Sequence, residues 1–149
     1  MEKNNSTEAL NTLLSLNKYR FEGYESATIT TEEADLKILF ARFATTSRNC
    51  HTELIAELNK LKAAVVKGNM ASGKFFRIWA DAKAALKSKD RKAILSACEY
   101  GEDLTTAAYE KILDTIFSET ENEQKQLLVS HHKRLSAEHE SIKSLYEKC

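Results

Sequence analysis

No proline interrupts this 149-residue chain, and it has only four glycines. Without kinking rings or frequent helix-weakening residues, long helices meet no chemical obstacle. Net charge is missing too, since 22 basic and 22 acidic residues cancel. That balance argues against nucleic acid or an anionic membrane surface as the main partner. No apolar run approaches the roughly 20 residues needed to span a bilayer. The start, Met1-Glu2-Lys3-Asn4-Asn5, is too polar for a targeting segment. Three cysteines, Cys50, Cys98 and Cys149, form no CxxC pair, so neither a disulfide framework nor a zinc ribbon is supported. Reduced thiols in a cytoplasmic protein are the expectation. No stretch alternates with period two, which excludes half-buried strands.

What the chain does have is apolar spacing of three and four. Leu10, Leu14, Asn17, Phe21 and Tyr24 make one stripe. Leu36, Leu39, Phe40, Phe43, Ser47, Cys50, Leu54, Leu58, Leu61 and Val65 make a second. A shorter amphipathic run, Phe75, Ile78, Trp79, Ala82 and Leu86, follows Ser72-Gly73. A further stripe runs Ile94, Cys98, Gly101, Thr105, Ala108, Ile112, Ile116. Each is one face of a helix. Asn5 followed by Glu8 predicts a cap for a first helix over Ser6–Ala27. Thr30 with Glu33, and Thr120 with Glu123, read as capping boxes. Asp90 is a further N-cap. Gly68 and Asn69 suit the left-handed turn that would end the second helix at Lys67. These signals predict an all-α, ferritin-like antiparallel four-helix bundle formed by a single domain over residues 1–149. The short Trp79 helix would lie in the crossover between bundle helices two and three. Small residues at Cys98, Gly101, Thr105 and Ala108 make one inner face shallow, to be filled by Phe21, Tyr24 and Phe43.

The last stripe is broken. It runs Gln124, Leu128, His131, Leu135, Glu138, Ile142, Leu145, so two ionisable groups point where leucine would normally sit. Burying them costs several kcal/mol unless they are paired, hydrogen-bonded or bound to a metal. They are seven residues apart, about 10 Å along a helix axis, so each needs its own partner from a facing helix. If those partners serve only specificity, replacing both residues by leucine should raise thermal stability.

The stretch Ser72-Gly73-Lys74-Phe75-Phe76-Arg77-Ile78-Trp79-Ala80-Asp81-Ala82-Lys83-Ala84-Ala85-Leu86, continuing through Asp90-Arg91-Lys92-Ala93-Ile94-Leu95 to Cys98-Glu99-Tyr100-Gly101-Glu102-Asp103, carries a resemblance. With Glu22-Gly23-Tyr24 it resembles a bacterial family of unknown function, domain of unknown function 2383. The resemblance covers nearly the whole chain. It implies a four-helix bundle of the ferritin-like group and supplies no established activity. The family pattern often places His just before the Arg of the central motif, where this chain has Phe76.

Ferritin-like di-iron sites take one Glu from each of two helices and a Glu-x-x-His from each of the others. None of His51, His131, His132 and His139 has a glutamate three residues before it. Inward-leaning carboxylates do occur. Advancing about 100° per residue, Glu25, Glu57, Glu102 and Glu138 fall on or beside their stripes, and His131 adds a nitrogen. Glu22, Glu53, Glu99 and His139 are reserves if the helices are rotated. Iron is the metal a divergent di-metal oxidase would use, and zinc the one a mononuclear site would take. The leading expectation is nonetheless no cofactor and no catalysis. It is a binding or protein-association module, with a stress-related role in view, that forms a homo-oligomer or engages another protein through exposed residues such as Phe76 and Tyr146.

Overall fold

The computed structural model describes residues 2–66, 72–85, 87, 90–119 and 121–149. Among them the fold is all-α, with five helices and no strand: α1 (Glu2–Thr30), α2 (Ala34–Lys60), α3 (Ser72–Ala85), α4 (Arg91–Thr115) and α5 (Glu123–Glu147). No helix among these residues is long and apolar enough to cross a membrane.

Named contacts set the direction of each pair. Asn11 meets residues 64 and 66, Arg20 meets Ser47, and Tyr24 meets Phe40, so α1 and α2 are antiparallel. Asn17 reaches Tyr109 and Tyr24 reaches Glu102, which makes α1 and α4 antiparallel. Thr46 bonds Glu138 and Glu57 bonds Gln124, giving the same relation between α2 and α5. Tyr109 with His131, and Asp103 with His139, do so for α4 and α5. It follows that α2 and α4 run parallel, and the chain between them must return the length of the molecule. α3 makes that return, packed on α1 and α4.

Several helix ends differ from expectation for identifiable reasons. Asn5 lies inside α1 rather than capping it, and α1 continues past Ala27 to Thr30. The Thr30 hydroxyl donates to the Ser26 carbonyl within that helix, so it caps nothing. Glu33 precedes α2 without a side-chain cap, while the Thr31 hydroxyl accepts from the Glu33 amide. α2 stops at Lys60, before Lys67, with Lys62 in the left-handed region at φ 54°. There the Lys62 amide bonds the Asn59 carbonyl and the Ala63 amide bonds the Leu58 carbonyl, the pairing of a Schellman turn. Asn11 then holds the departing chain, donating to the Ala64 carbonyl at 3.1 Å and accepting from the Val66 amide at 2.8 Å. A contact from another helix thus ends α2 where no glycine stands. Gly68, Asn69 and Thr120 lie outside the described residues. Asp90 caps α4 as expected, accepting from the Lys92 amide, and Asn122 caps α5, accepting from the Lys125 amide.

The apolar core falls into two clusters. One gathers Tyr24, Leu36, Phe40, Phe43, Cys98 and Ile142 around Trp79. The other holds Leu10, Leu13, Leu54, Leu58, Tyr109, Leu128 and Leu135. Trp79, rather than Phe21, fills the shallow face of α4. A Cβ on Gly101 would meet the indole at 3.0 Å, and one on Gly23 at 3.2 Å. Glycine on both flanking helices lets the ring enter. Phe21 instead packs edge-on against His51, with the Arg48 guanidinium over its ring. Tyr146 packs half-buried on the Trp79 cluster, while Phe76 is 54% exposed.

Candidate functional site

Two polar layers cross the core, stacked along the helix axes. In the first, Arg20 is 0% exposed. Spacing alone explains why it points inward: on α1 it lies three residues after Asn17 and four before Tyr24, on the face both share. Its Nε donates to Glu102 Oε1 at 2.7 Å, and Nη2 donates to Glu102 Oε2 at 3.0 Å and Glu138 Oε1 at 2.9 Å. Nη1 donates to the Phe43 carbonyl at 3.1 Å and Ser47 Oγ at 2.8 Å. All five guanidinium hydrogens are thereby used. Tyr24 donates its hydroxyl to Glu102 Oε1, and Thr46 donates to Glu138 Oε2. The Arg20 guanidinium also lies 5.1 Å from the Tyr24 ring centroid.

The electrostatics follow from burial. Desolvation alone would lower the Arg20 pKa, but Glu102, Tyr24 and Glu138 outweigh it and raise the value, so the cation persists at all ordinary pH. Burial lifts the Tyr24 phenol well above its usual range, with Glu102 adding to the effect. Burial also raises the Glu138 carboxyl, opposed by Arg20 and Thr46.

The second layer is built on His131, 0% exposed, from α5. Its Nδ1 lies 3.0 Å from Tyr109 Oη and its Nε2 2.8 Å from Glu53 Oε1. Asn17 Nδ2 donates to Tyr109 Oη at 2.9 Å. Tyr109 therefore donates to Nδ1, which places the imidazole hydrogen on Nε2, facing Glu53. Arg134 Nη2 also reaches Glu53 Oε1, at 2.8 Å. Burial pushes the His131 pKa down to about 4 against the pull of Glu53, so the ring is neutral near pH 7. Partial burial would raise the Glu53 pKa, but Arg134 and His131 outweigh it and lower the value. Cys50, fully buried, lies beside this layer with its thiol pushed up to about 12 by burial.

His131 and Glu138, the two breaks in the α5 stripe, thus do find separate partners on facing helices. Of the other candidate ligands, Glu102 and Glu138 come together, on Arg20. Glu57 is buried elsewhere, with Lys60 and Gln124. Glu25 is half-exposed and pairs with Arg48. Glu53 belongs to the His131 layer, His139 lies beside Asp103, Glu22 is exposed and Glu99 half-buried. Arg20 and Tyr109 did not stand out in the sequence. The signal available for Arg20 was its place between Asn17 and Tyr24 on an inward face.

These observations define an all-α protein whose interior carries two polar layers. The family model described as domain of unknown function (DUF2383) matches residues 5–115, and the chain belongs to that family. The matched stretch holds Arg20, Cys50, Glu53, Glu102 and Tyr109, while His131 and Glu138 on α5 lie beyond it. No curated protein and no solved structure matches the chain.

Proposed function

We propose that this chain is a single-domain, ferritin-like four-helix bundle without catalytic activity, acting by association with protein. The bundle is α1, α2, α4 and α5, with α3 as its crossover. The antiparallel neighbours and the parallel pair α2 and α4 support that reading. The observation that carries the non-catalytic part is Arg20. A di-metal centre needs carboxylates from several helices free to bridge ions at the middle of the bundle. Here Glu102 and Glu138 are both committed to a guanidinium that has no spare donor. Glu25 and Glu57 are engaged elsewhere, and His131, the only fully buried histidine among the described residues, faces Glu53. This donor set does not fit a di-iron centre.

Association is the remaining role, with a second copy or another protein as partner. Ile29 at 84% exposure, Ile38 at 74%, Tyr100 at 65% and Phe76 at 54% supply apolar surface for it. Net neutrality fits a protein rather than a nucleic-acid partner, and three free thiols fit a cytoplasmic setting. Light scattering should report a dimer or larger, and ferrous iron added in air should oxidise no faster than in buffer. A monomer at every workable concentration overturns the association, and iron oxidation catalysed by the protein overturns the non-catalytic reading.

A further inference from the structure

We propose that Cys50, Glu53 and His131 form a binding site for one divalent cation of the zinc type, tying α2 to α5. The site is separate from the Arg20 layer. Cys50 and Glu53 lie three residues apart on α2 and so project from one face, with His131 opposite them on α5. One ligand atom from each lies within 4.8 Å of the other two, and His131 Nε2 is already 2.8 Å from Glu53 Oε1. Bonds of about 2.3 Å to sulfur and about 2.0–2.2 Å to nitrogen and oxygen place tetrahedral ligand atoms about 3.4–3.6 Å apart. Side-chain adjustments of about an ångström reach that geometry. Glu53 is 42% exposed at its side chain, so the site has a path to solvent and a place for water as fourth ligand.

The donor chemistry selects the ion. A thiolate, an imidazole and one carboxylate suit zinc or cobalt and are poor partners for magnesium or calcium. The supporting groups are also in place. A metal on Nε2 moves the imidazole hydrogen to Nδ1, where Tyr109 Oη, 3.0 Å away, accepts it, the outer partner such histidines need. Asn17 Oδ1, buried in the same cluster, has no hydrogen-bond partner among the described residues. It is an acceptor at hand for a rearranged Tyr109 hydroxyl. Arg134 must release Glu53 Oε1, and with its side chain 37% exposed it can turn to solvent. Binding is a proton exchange: the Cys50 S–H bond breaks, an S–metal bond forms, and the proton leaves to solvent.

The test is titration of the full chain with Co²⁺ alone, in a Cys149→Ser background that removes the exposed thiol. We expect one equivalent to produce a thiolate-to-cobalt charge-transfer band with intense four-coordinate visible bands, bleached by one equivalent of Zn²⁺. Cys50→Ser should abolish the charge-transfer band, Cys98→Ser should keep it, and Tyr109→Phe should weaken binding by about tenfold or more. Should Cys50→Ser fail to fold, Glu53→Gln, at a half-exposed position, must lose the four-coordinate spectrum while keeping wild-type helicity. No charge-transfer band, or one that survives both Cys50→Ser and Glu53→Gln, overturns the proposal. Neither outcome bears on the proposed function, whose association rests on light scattering and whose lack of catalysis rests on iron oxidation.

Discussion

Arg20→Leu should be among the most damaging single changes available in this chain. It leaves Glu102, whose side chain is 0% exposed, without its cation and with the Tyr24 hydroxyl as its remaining partner, and leaves Glu138, 12% exposed, with Thr46. Removing one partner of a buried ion pair costs about 3–5 kcal/mol. For a chain of this size that is a fall of roughly 10 °C in melting temperature. The loss should depend on pH, and its sign follows from linkage. In the variant Glu138, which burial already raises in the wild type, loses the opposing Arg20 charge, so its folded pKa stands above the unfolded value and the native state binds more protons than the unfolded one. Stability is then recovered as pH falls and lost as it rises, by up to about 1.4 kcal/mol per pH unit. Urea unfolding followed by circular dichroism at pH 7.5 and pH 5 measures this, read as variant minus wild type. Arg20→Met combined with Glu102→Gln and Glu138→Leu should restore most of the stability, because no charge is left unpaired. A loss under about 1 kcal/mol for Arg20→Leu, with the pH response of wild type, would refute the view that these carboxylates depend on Arg20.

Glu138→Leu alone should destabilise by about 1–3 kcal/mol, because Arg20 Nη2 then lacks one acceptor. The expectation that leucine at both His131 and Glu138 raises the melting temperature therefore reverses, and a thermal melt of the double variant decides it. Gly101→Ala should destabilise by about 1 kcal/mol, overpacking against Trp79 outweighing the helix-propensity gain. Pairing it with Trp79→Phe should recover part of that loss in a double-mutant cycle, and strict additivity would count against the contact. Thiol labelling of the native protein should modify Cys149 rapidly and spare Cys50 and Cys98, which are fully buried with thiols raised by burial. Cys149→Ser should leave no fast phase, and a fast phase that persists would show that one of the buried thiols opens to solvent.

Helicity was written locally. The absence of proline, the three-and-four apolar spacing and the Asp90 cap act within a few residues of themselves, so the element order needed no tertiary information. The α5 stripe was legible for the same reason. Leu128, His131, Leu135 and Ile142 are its buried members, with Glu138 half-buried beside them. What sequence could not show was how many neighbours each helix has. α1 is packed by α2, α3 and α4 together and is buried continuously from Ala9 to Asn17. A single-stripe reading of α1 therefore missed Arg20 and Asn11. The end of α2 was decided the same way, by an asparagine on another helix that bonds the chain after Leu61. Partner choice among buried charges belongs to tertiary structure entirely. The residues joined in the first layer are separated by up to 118 positions. Only the packing of four helices selects Arg20, rather than a surface lysine or a metal, to meet Glu102 and Glu138, because desolvation makes that pairing obligatory once the helices close.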